Sequence, residues 1–427
     1  MANLCEFGKC FNLNTLRYGS PAHGGWGIVR MGHLVPQCYE LFVCPFACGR
    51  HGALSSILQG RKDRVSYLYI DEADIISGSY EDLIFEACEE LLEVLRERKK
   101  YPKVLMVVTS CIDDLMGTDC DKLEEELEKR FSDVKFIFGH MNPITLDKKT
   151  PPGITMQNKI YSLLNKTDLF DEGVNIIGNL TPLVTENELF GVLKSLGFDN
   201  IRHISNFKTF DGFQNMAKSK LNVLISPKAK MACELMEKNL KIPYIELYNS
   251  YNPENILQNY EKFSDYMGNR LKFDFEIEIN NLDKTIRELK NILKDFPIVL
   301  DEEAVLFPYE FSDFLLQNGF NVKKIFATSP KLTDIDYFNN IKKRYKDVKL
   351  IIPYNPKQRF APEKLEECVS IGLESGYLTS SFHNVGLCGE DGLYGFFGLN
   401  YILEKILDSY KNKTDLKENI ERAGLVV

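Results

Sequence analysis

Cysteines gathered in one short stretch are the residues of this sequence best suited to chemistry. Cys38, Cys44 and Cys48 fall within eleven positions, and Pro45 between them fixes one φ angle and removes one backbone donor. The stretch follows neither the helical nor the strand period, so we predict a loop that positions side chains. Thiolates are soft ligands, and their grouping indicates an iron–sulfur cluster, a zinc ion or a redox-active disulfide.

A fourth candidate ligand, Cys111, follows a strongly apolar run. Residues 104–110 read Val-Leu-Met-Val-Val-Thr-Ser, a composition typical of a buried strand in a parallel sheet. Cys111 would then lie at the carboxyl end of that strand, the edge at which open α/β sheets bind ligands. The simpler interpretation of a free cysteine is a small buried apolar side chain. We favour it for the cysteines on predicted helices, which are Cys88, Cys120, Cys233 and Cys368.

The bulk properties argue against several classes of protein. A formal net charge of −9 over 427 residues disfavours a general binder of nucleic acid or of anionic membranes. The first residues contain no apolar segment typical of a secretory signal, and no apolar run approaches the ~18 residues of a membrane-spanning helix. We therefore expect a cytoplasmic protein whose eleven cysteines are reduced thiols or ligands, without a disulfide framework.

Alternating strands and helices must position these cysteines. Apolar residues recur at helical spacing over residues 80–99, between runs that have the length of strands. The alternation recurs three times, so the predicted fold class is α/β, with three Rossmann-like open parallel-sheet domains. We expect residues 143–173 to be irregular and residues 362–374 to form a helix. The predicted domains are a cysteine-bearing domain (1–170), a middle domain (171–265) and a C-terminal domain with a closing helix (266–427).

Short motifs add a resemblance to a known family. Residues 43–48, Val-Cys-Pro-Phe-Ala-Cys, are similar to the family loop His-Gly-Pro-x-Gly-Cys in the proline and the last cysteine. Residues 110–119, Ser-Cys-Ile-Asp-Asp-Leu-Met-Gly-Thr-Asp, are similar to Thr-Cys-Pro-x-x-x-x-Gly-Asp-Asp. Gly-Leu-Tyr-Gly-Phe at 392–396 resembles the motif that opens the family's last helix. Over residues 15–410 the chain resembles the nitrogenase component 1 superfamily, which contains nitrogenase subunits, cofactor-assembly scaffolds and related reductases.

The resemblance implies three Rossmann-like domains and an iron–sulfur cluster near a subunit interface. Carried onto this sequence, it implies that Cys48 and Cys111 ligate a 4Fe-4S cluster, whereas the family's first cysteine falls near Ser20 and is missing. Cys44 or Cys38 would complete the ligand set, or two subunits would share the cluster across a dyad. We predict Cys44, Cys48 and Cys111 as the metal ligands. The expected assembly is a homodimer, or a heterodimer or heterotetramer with a sister subunit.

Other family ligands have no counterpart here. The resemblance places the cysteine that holds nitrogenase's metal cofactor near Asn200 and the histidine ligand near Asp391. A nitrogenase-type molybdenum cofactor is therefore not expected. The predicted catalytic residues are His23, His203 and Asp391, since imidazole titrates near neutral pH and all three lie on predicted loops or strand ends.

The leading functional interpretation is an oxidoreductase of the nitrogenase component 1 type. It would pass electrons from a separate ATP-dependent iron–sulfur reductase to an unidentified small-molecule substrate. The sequence contains no Gly-x-x-x-x-Gly-Lys-Ser/Thr motif, so this chain is not expected to hydrolyse ATP itself. One alternative is a non-catalytic scaffold for metallocofactor assembly, and another is a cluster-free module that binds a small molecule. Neither a nucleic acid nor a membrane is expected as a partner.

Overall fold

The described residues of the computed structural model divide into two compact units. The cysteine unit contains the described residues of Trp26–Leu180 and Asn200–Glu246, and the C-terminal unit contains those of Thr181–Asp199 and Leu247–Val427. His23 and Asp391 lie outside the described residues, and the predicted domain boundaries stay predictions. The structure describes residues 20, 27–58, 60–140, 150–268, 271–328, 330, 332–355, 358, 367–389 and 392–423.

All strand pairs in the described residues are parallel, as expected of strands that are joined by crossover helices. In chain order the strands are β1 (Cys38–Cys44), β2 (Val65–Tyr69), β3 (Val104–Thr109), β4 (Lys135–His140), β5 (Gly173–Ile177), β6 (Asn200–Arg202), β7 (Leu221–Leu224), β8 (Tyr244–Glu246), β9 (Ile298–Asp301), β10 (Val322–Phe326), β11 (Lys349–Ile351), β12 (Val369–Ile371) and β13 (His383–Val385).

Helices separate most successive strands. In chain order they are α1 (Gly27–Leu34), α2 (Phe46–Leu58), α3 (Glu72–Ser77), α4 (Tyr80–Glu97), α5 (Ile112–Met116), α6 (Cys120–Arg130), α7 (Pro152–Ser162), α8 (Glu188–Ser195), α9 (Phe210–Phe213), α10 (Lys230–Leu240), α11 (Pro253–Tyr266), α12 (Glu276–Leu293), α13 (Pro308–Gln317), α14 (Ile335–Arg344), α15 (Leu373–Thr379), α16 (Gly395–Lys411) and α17 (Leu416–Arg422).

The strands of the described residues form three sheets. Two belong to the cysteine unit, with the orders β2-β1-β3-β4 and β6-β5-β7-β8, and the C-terminal unit contains the third, with the order β11-β10-β9-β12-β13. Each order reverses direction beside the first strand of its sheet. The pairs β1/β3, β5/β7 and β9/β12 therefore flank topological switch points, where open α/β sheets form their ligand crevices. The prediction of an α/β fold with Rossmann-like parallel sheets is confirmed.

The helix predicted over residues 80–99 is also confirmed. It is α4, which buries Ile84, Cys88 and Leu92 against the first sheet. Cys88 is thus a core residue, and Cys120 and Cys233 are likewise buried on helices. No helix in the described residues is long and apolar enough to cross a membrane.

The prediction of a loop over residues 38–52 is wrong. Residues 38–44 form β1, and α2 begins at Phe46, directly after Pro45. Six of the seven residues of β1 are buried, so both of its faces are covered and no alternation of buried and exposed residues appears. The proline that suggested irregular backbone stands in the short connection between strand and helix.

Two further predictions of secondary structure need correction. The stretch 143–173 contains α7, with Pro152 in its first turn, a position where the missing backbone N–H costs nothing. Within the predicted helix 362–374, the part that the structure describes contains β12 followed by the start of α15. Cys368 is buried as predicted, but it lies directly before β12 and is not on a helix.

Candidate metal centre

Three of the predicted thiols lie at the switch point of the first sheet. Cys44 is the last residue of β1, and Cys111 follows the neighbouring strand β3 by two residues. Cys48 lies in the first turn of α2, where its backbone N–H donates to the Pro45 carbonyl at 2.9 Å. Because β1 and β3 are parallel neighbours, their carboxyl ends meet at one edge of the sheet. The topology therefore brings Cys44, Cys48 and Cys111 to the same crevice.

The thiols also influence one another electrostatically. Burial and the neighbouring Cys48 raise the pKa of the Cys44 thiol to about 12. Burial, and after it the charge of Cys111, raise the pKa of Cys48. Cys44 is buried, whereas Cys48 and Cys111 are half-buried. A metal ion bound to these thiolates would remove the repulsion that raises the pKa of Cys44 and Cys48.

Cys38, the open alternative to Cys44, lies at the opposite end of β1. Cys44 lies six positions further along the extended strand, a distance of about 20 Å. Its sulfur is buried, 3.6 Å from the Tyr39 carbonyl oxygen. We therefore exclude Cys38 from the ligand set that contains Cys48 and Cys111.

Aromatic rings and one glycine enclose the inner side of the crevice. A Cβ atom on Gly49 would lie 2.8 Å from Cε1 of Tyr69 and 3.3 Å from the sulfur of Cys44, so only glycine fits in this turn of α2. Tyr67 stacks on Tyr69 with ring centroids 5.7 Å apart. Both rings and the buried sulfur of Cys44 thus lie around the same position, that of Gly49.

Large apolar side chains are exposed at the same edge of the sheet. Phe46, Ile76 and Leu115 are 74%, 85% and 76% exposed, and they lie on the helices that follow β1, β2 and β3. Scattered apolar residues are common on protein surfaces, whereas contiguous exposed apolar patches are typical of surfaces that another protein covers.

A buried carboxyl group lies on the strand that leads to Cys44. Glu40 is fully buried in β1, and neither of its oxygens has a hydrogen-bond partner among the described residues. His33 approaches it, with Nδ1 3.5 Å from Oε1. Burial raises the pKa of Glu40 well above its usual range, and burial together with Arg61 and Arg64 lowers the pKa of His33 to about 4. Burial therefore favours the neutral form of both groups.

The tautomer of His33 agrees with a neutral pair. Ser56 donates its hydroxyl proton to the Gly52 carbonyl at 2.9 Å, so it can only accept from Nε2 of His33, 3.3 Å away. Nδ1 of the neutral ring is then an acceptor that faces the carboxyl group of Glu40. A protonated Glu40 is the form that complements it.

Relative to the wild type, Glu40→Gln is expected to become more stable as the pH rises from 6.5 toward the raised pKa of folded Glu40. Folded Glu40 keeps a proton that the unfolded chain has lost. As the pH rises toward the folded pKa, the free energy of unfolding of the wild-type protein therefore falls by up to ~1.4 kcal/mol per pH unit. His33 adds no slope in this range, because its window lies between pH 4 and 6.5. Thermal unfolding of both proteins at several pH values measures the effect. A stability difference that does not change with pH would contradict the neutral assignment.

His203 lies at the end of β6, near the switch point of the second sheet. It is buried, its Nδ1 accepts from the Ser205 backbone N–H at 3.3 Å, and its Nε2 donates to the Asn179 carbonyl at 3.0 Å. Burial lowers its pKa. Proton transfer from His203 to a substrate would first require the bond to Asn179 to break. Its catalytic role stays a prediction, as do those of His23 and Asp391.

In the third sheet, the protein's own carboxylate fills the switch point. Asp301 ends β9 and accepts from the backbone N–H groups of Ser375 at 2.6 Å and Glu303 at 3.1 Å. Burial, with Glu374 beside it, raises its pKa to about 8. Gly372 (φ 106°) passes so close that a Cβ atom would lie 2.1 Å from Oδ2 of Asp301. The carboxylate of Asp301 thus lies at the N-terminal end of α15. In Rossmann domains, the corresponding helix N-terminus binds the phosphates of a dinucleotide.

Comparisons with known proteins agree with this architecture. A family model described as nitrogenase component 1 type oxidoreductase matches residues 26–358. The nitrogenase iron-molybdenum cofactor biosynthesis protein NifE of Clostridium pasteurianum is 25% identical over 245 residues, which cover 56% of this chain and 52% of that protein. The match thus spans about half the length of this relative.

Two solved structures are similar in fold. A nitrogenase Cp1 structure at pH 6.5 superposes with a TM-score of 0.69 at 14% identity and covers 92% of this chain and 93% of that chain. A nitrogenase Cp1 structure at pH 5 gives a TM-score of 0.58 at 15% identity, with coverages of 93% and 90%. At such identities the two structures bear on the fold alone.

Proposed function

Because the chain belongs to the nitrogenase component 1 type oxidoreductase family, we propose that it is a redox component that binds an iron–sulfur cluster through Cys44, Cys48 and Cys111. The observation that supports this most directly is the convergence of the three thiols at the switch point of the first sheet. These residues include no histidine or carboxylate, and an all-thiolate set is the ligand type that iron–sulfur clusters prefer.

The number of thiolates fits a cluster that two chains hold together. A 4Fe-4S cluster takes four cysteine ligands, and the crevice supplies three. Cys48 and Cys111 are half-buried, and the exposed Phe46, Ile76 and Leu115 lie on the helices that follow β1, β2 and β3. We propose that a second subunit, either a copy of this chain or a sister chain, covers this edge and completes the ligand set.

The residues of this chain would contribute binding, shielding and orientation. Cys44 would hold the cluster from the buried side, and Tyr67 and Tyr69 would exclude water there. Cys48 and Cys111 lie at the N-terminal ends of α2 and α5, where the helix dipole favours a negative charge. When bound, an iron–sulfur cluster supplies single-electron transfer.

The proposed partners follow from what the chain lacks. Its sequence has no phosphate-binding loop for ATP, so the energy of ATP hydrolysis would have to enter through a separate reductase. The substrate would be a small molecule, with His23, His203 and Asp391 as the predicted residues around it. Asn200 and Asp391 stand where the resemblance places the ligands of a molybdenum cofactor, so we propose that this chain functions without one.

Metal analysis tests the proposal. We expect protein purified without oxygen to contain iron and acid-labile sulfide in similar amounts, and the dithionite-reduced sample to give the EPR signal of a reduced 4Fe-4S cluster. Molybdenum in the same sample is expected to be absent. Folded protein that is free of iron and cannot be reconstituted with iron and sulfide would overturn the proposal.

A second candidate function is supported by the similarity to NifE, whose name describes a cofactor biosynthesis protein. In that case the chain would hold a metal cluster and pass it on, without turnover. Incubating the iron-loaded protein with an iron chelator, before and after cycles of reduction and oxidation, distinguishes the two functions. A redox component retains its iron through the cycles and shows a reversible potential. A scaffold is expected to release its iron to the chelator.

A further inference from the structure

A second group of metal-binding side chains lies one strand further along the same edge of the first sheet. β3 and β4 are parallel neighbours, and Thr109 at the end of β3 pairs with His140 at the end of β4. Asp113 lies on α5, directly after β3, and Cys120 is the first residue of α6. None of the four belongs to the thiol set of Cys44, Cys48 and Cys111.

The donor atoms of Asp113, Cys120 and His140 point at one place. One ligand atom from each of the three lies within 4.8 Å of those from the other two. Nδ1 of His140 is 2.5 Å from Oδ2 of Asp113, and the hydroxyl of Thr109 donates to the same oxygen at 2.9 Å. In a tetrahedral zinc site, ligand atoms about 2.0–2.3 Å from the metal are ~3.3–3.8 Å apart. The three side chains can therefore reach one ion with small rotations.

Unpartnered polar atoms are the second observation that points to a ligand. Oδ1 of Asp113 is buried and has no hydrogen-bond partner among the described residues, although the side chain as a whole is only 3% exposed. The hydroxyl of Tyr80 is also buried and has no partner among the residues that the structure describes. Its pKa is raised by burial and then by the charges of Asp113 and Cys120, so it lies beside them. Buried polar groups without partners are rare in folded proteins.

The chain between the donors is folded tightly. α5 ends at Gly117, whose φ of 69° reverses the chain direction, and the N–H of Thr118 donates to the Asp113 carbonyl at 3.0 Å. Asp119 then caps α6 by accepting from the Lys122 N–H at 3.1 Å. This compact turn returns Cys120 to the side chain of Asp113. The site is thus formed by local backbone geometry and by one neighbouring strand.

From this geometry we infer that Asp113, Cys120 and His140 form a mononuclear site for a divalent metal ion of the zinc type. One sulfur, one nitrogen and one oxygen donor suit a borderline-soft ion, and three protein ligands leave a fourth position for water. The side chain of His140 is 36% exposed, so solvent and the ion have access from its side. Thr109 positions the carboxylate of Asp113, as a ligand-orienting partner does in known sites.

Metal binding changes the positions of two protons, one on Cys120 and one on His140. The ion would bind to the sulfur of Cys120, Nδ1 of His140 and a carboxylate oxygen of Asp113. The thiol proton is released, and the imidazole proton moves from Nδ1 to Nε2. Binding therefore releases one proton to solvent, so affinity is expected to rise with pH.

Cobalt(II) is the probe that tests the site, because it replaces zinc and is visible. We expect titration of the full-length, cluster-loaded protein with Co²⁺ to give d–d bands of a tetrahedral ion and a thiolate-to-cobalt charge-transfer band. Cys120→Ser should abolish the charge-transfer band. His140→Gln, at a partly exposed strand end, should keep that band but weaken cobalt binding by more than about tenfold, since even loss of a ligand's hydrogen-bond partner has effects of that size.

Matched variants distinguish a failure of the cobalt site from a failure of the proposed iron–sulfur cluster. Cys88→Ser changes another buried helical cysteine and should leave the cobalt spectrum unchanged. Iron and sulfide contents of Cys120→Ser should equal those of the wild type, and Cys111→Ser should keep the cobalt bands even if it loses iron. A charge-transfer band that disappears in Cys111→Ser but persists in Cys120→Ser would overturn the inference, as would the absence of any cobalt band.

Discussion

Replacing Cys111 by alanine is expected to reduce the bound iron and sulfide to background. The cluster would lose one of the three thiolates that this chain contributes, and the remaining ligands could not hold it. The fold should survive, because Cys111 is half-buried and its side chain does not cap α5. Iron and sulfide analysis, together with EPR of the reduced protein, measures the loss, and circular dichroism checks the fold.

Two other cysteines serve as controls for this prediction. Cys38→Ala changes the residue at the far end of β1, and Cys88→Ala changes a core residue of α4. Both variants should retain wild-type amounts of iron. If Cys38→Ala lost as much iron as Cys111→Ala, or if Cys111→Ala kept its full content, the assignment of ligands to the switch point would be wrong.

The alternation of strands and helices could be predicted from the sequence because each element buries one clear apolar pattern. α4 repeats Ile84, Cys88, Leu92 and Leu95 on one face, so its period is visible without tertiary information. The same pattern places Cys111 after a buried strand. The strand order, which brings Cys44 and Cys111 together, depends on pairings that no local pattern contains.

The loop prediction for the cysteine stretch failed because the sequence does not show how tightly α2 packs on the first sheet. Gly49 and Gly52 look like loop residues, yet both lie inside α2. A Cβ atom on Gly52 would be 2.8 Å from the ring of Phe42, and one on Gly49 would be equally close to Tyr69. Glycine is required there because α2 packs tightly on the first sheet, and a sequence pattern does not reveal such a contact.

The grouping of Asp113, Cys120 and His140 was beyond the sequence for a similar reason. Cys120 follows the apolar phase of α6 and was assigned to the core, which its burial confirms. Its proximity to His140 depends on the register in which Thr109 pairs with His140. The available local clue was Asp113, which follows soon after the buried strand β3. The carboxyl ends of such strands are where α/β proteins place functional groups.

The second large effect is expected at Glu188, a buried carboxylate in the C-terminal unit. Its Oε1 accepts from the hydroxyl of Tyr260 at 2.9 Å and from the N–H of Phe396 at 2.6 Å, and its Oε2 accepts from the N–H of Phe397 at 3.1 Å. The two amides belong to the first turn of α16, which has no intrahelical acceptors for them. Glu188 therefore fixes the start of the long closing helix, where a negative charge also complements the helix dipole.

Glu188→Ala is expected to destabilise the C-terminal unit by about 3–5 kcal/mol, because three buried donors lose their acceptor at once. For a unit of this size, that corresponds to a decrease in melting temperature of about 6–20 °C. Calorimetry measures the transition, and hydrogen exchange at the amides of Phe396 and Phe397 shows whether the helix start has opened. Glu186→Ala, two residues earlier and exposed, is the matched control and should change little. If both variants melted alike with unchanged exchange, α16 would be held by its apolar face, which buries Phe396, Leu399 and Ile402, and not by the carboxylate at its start.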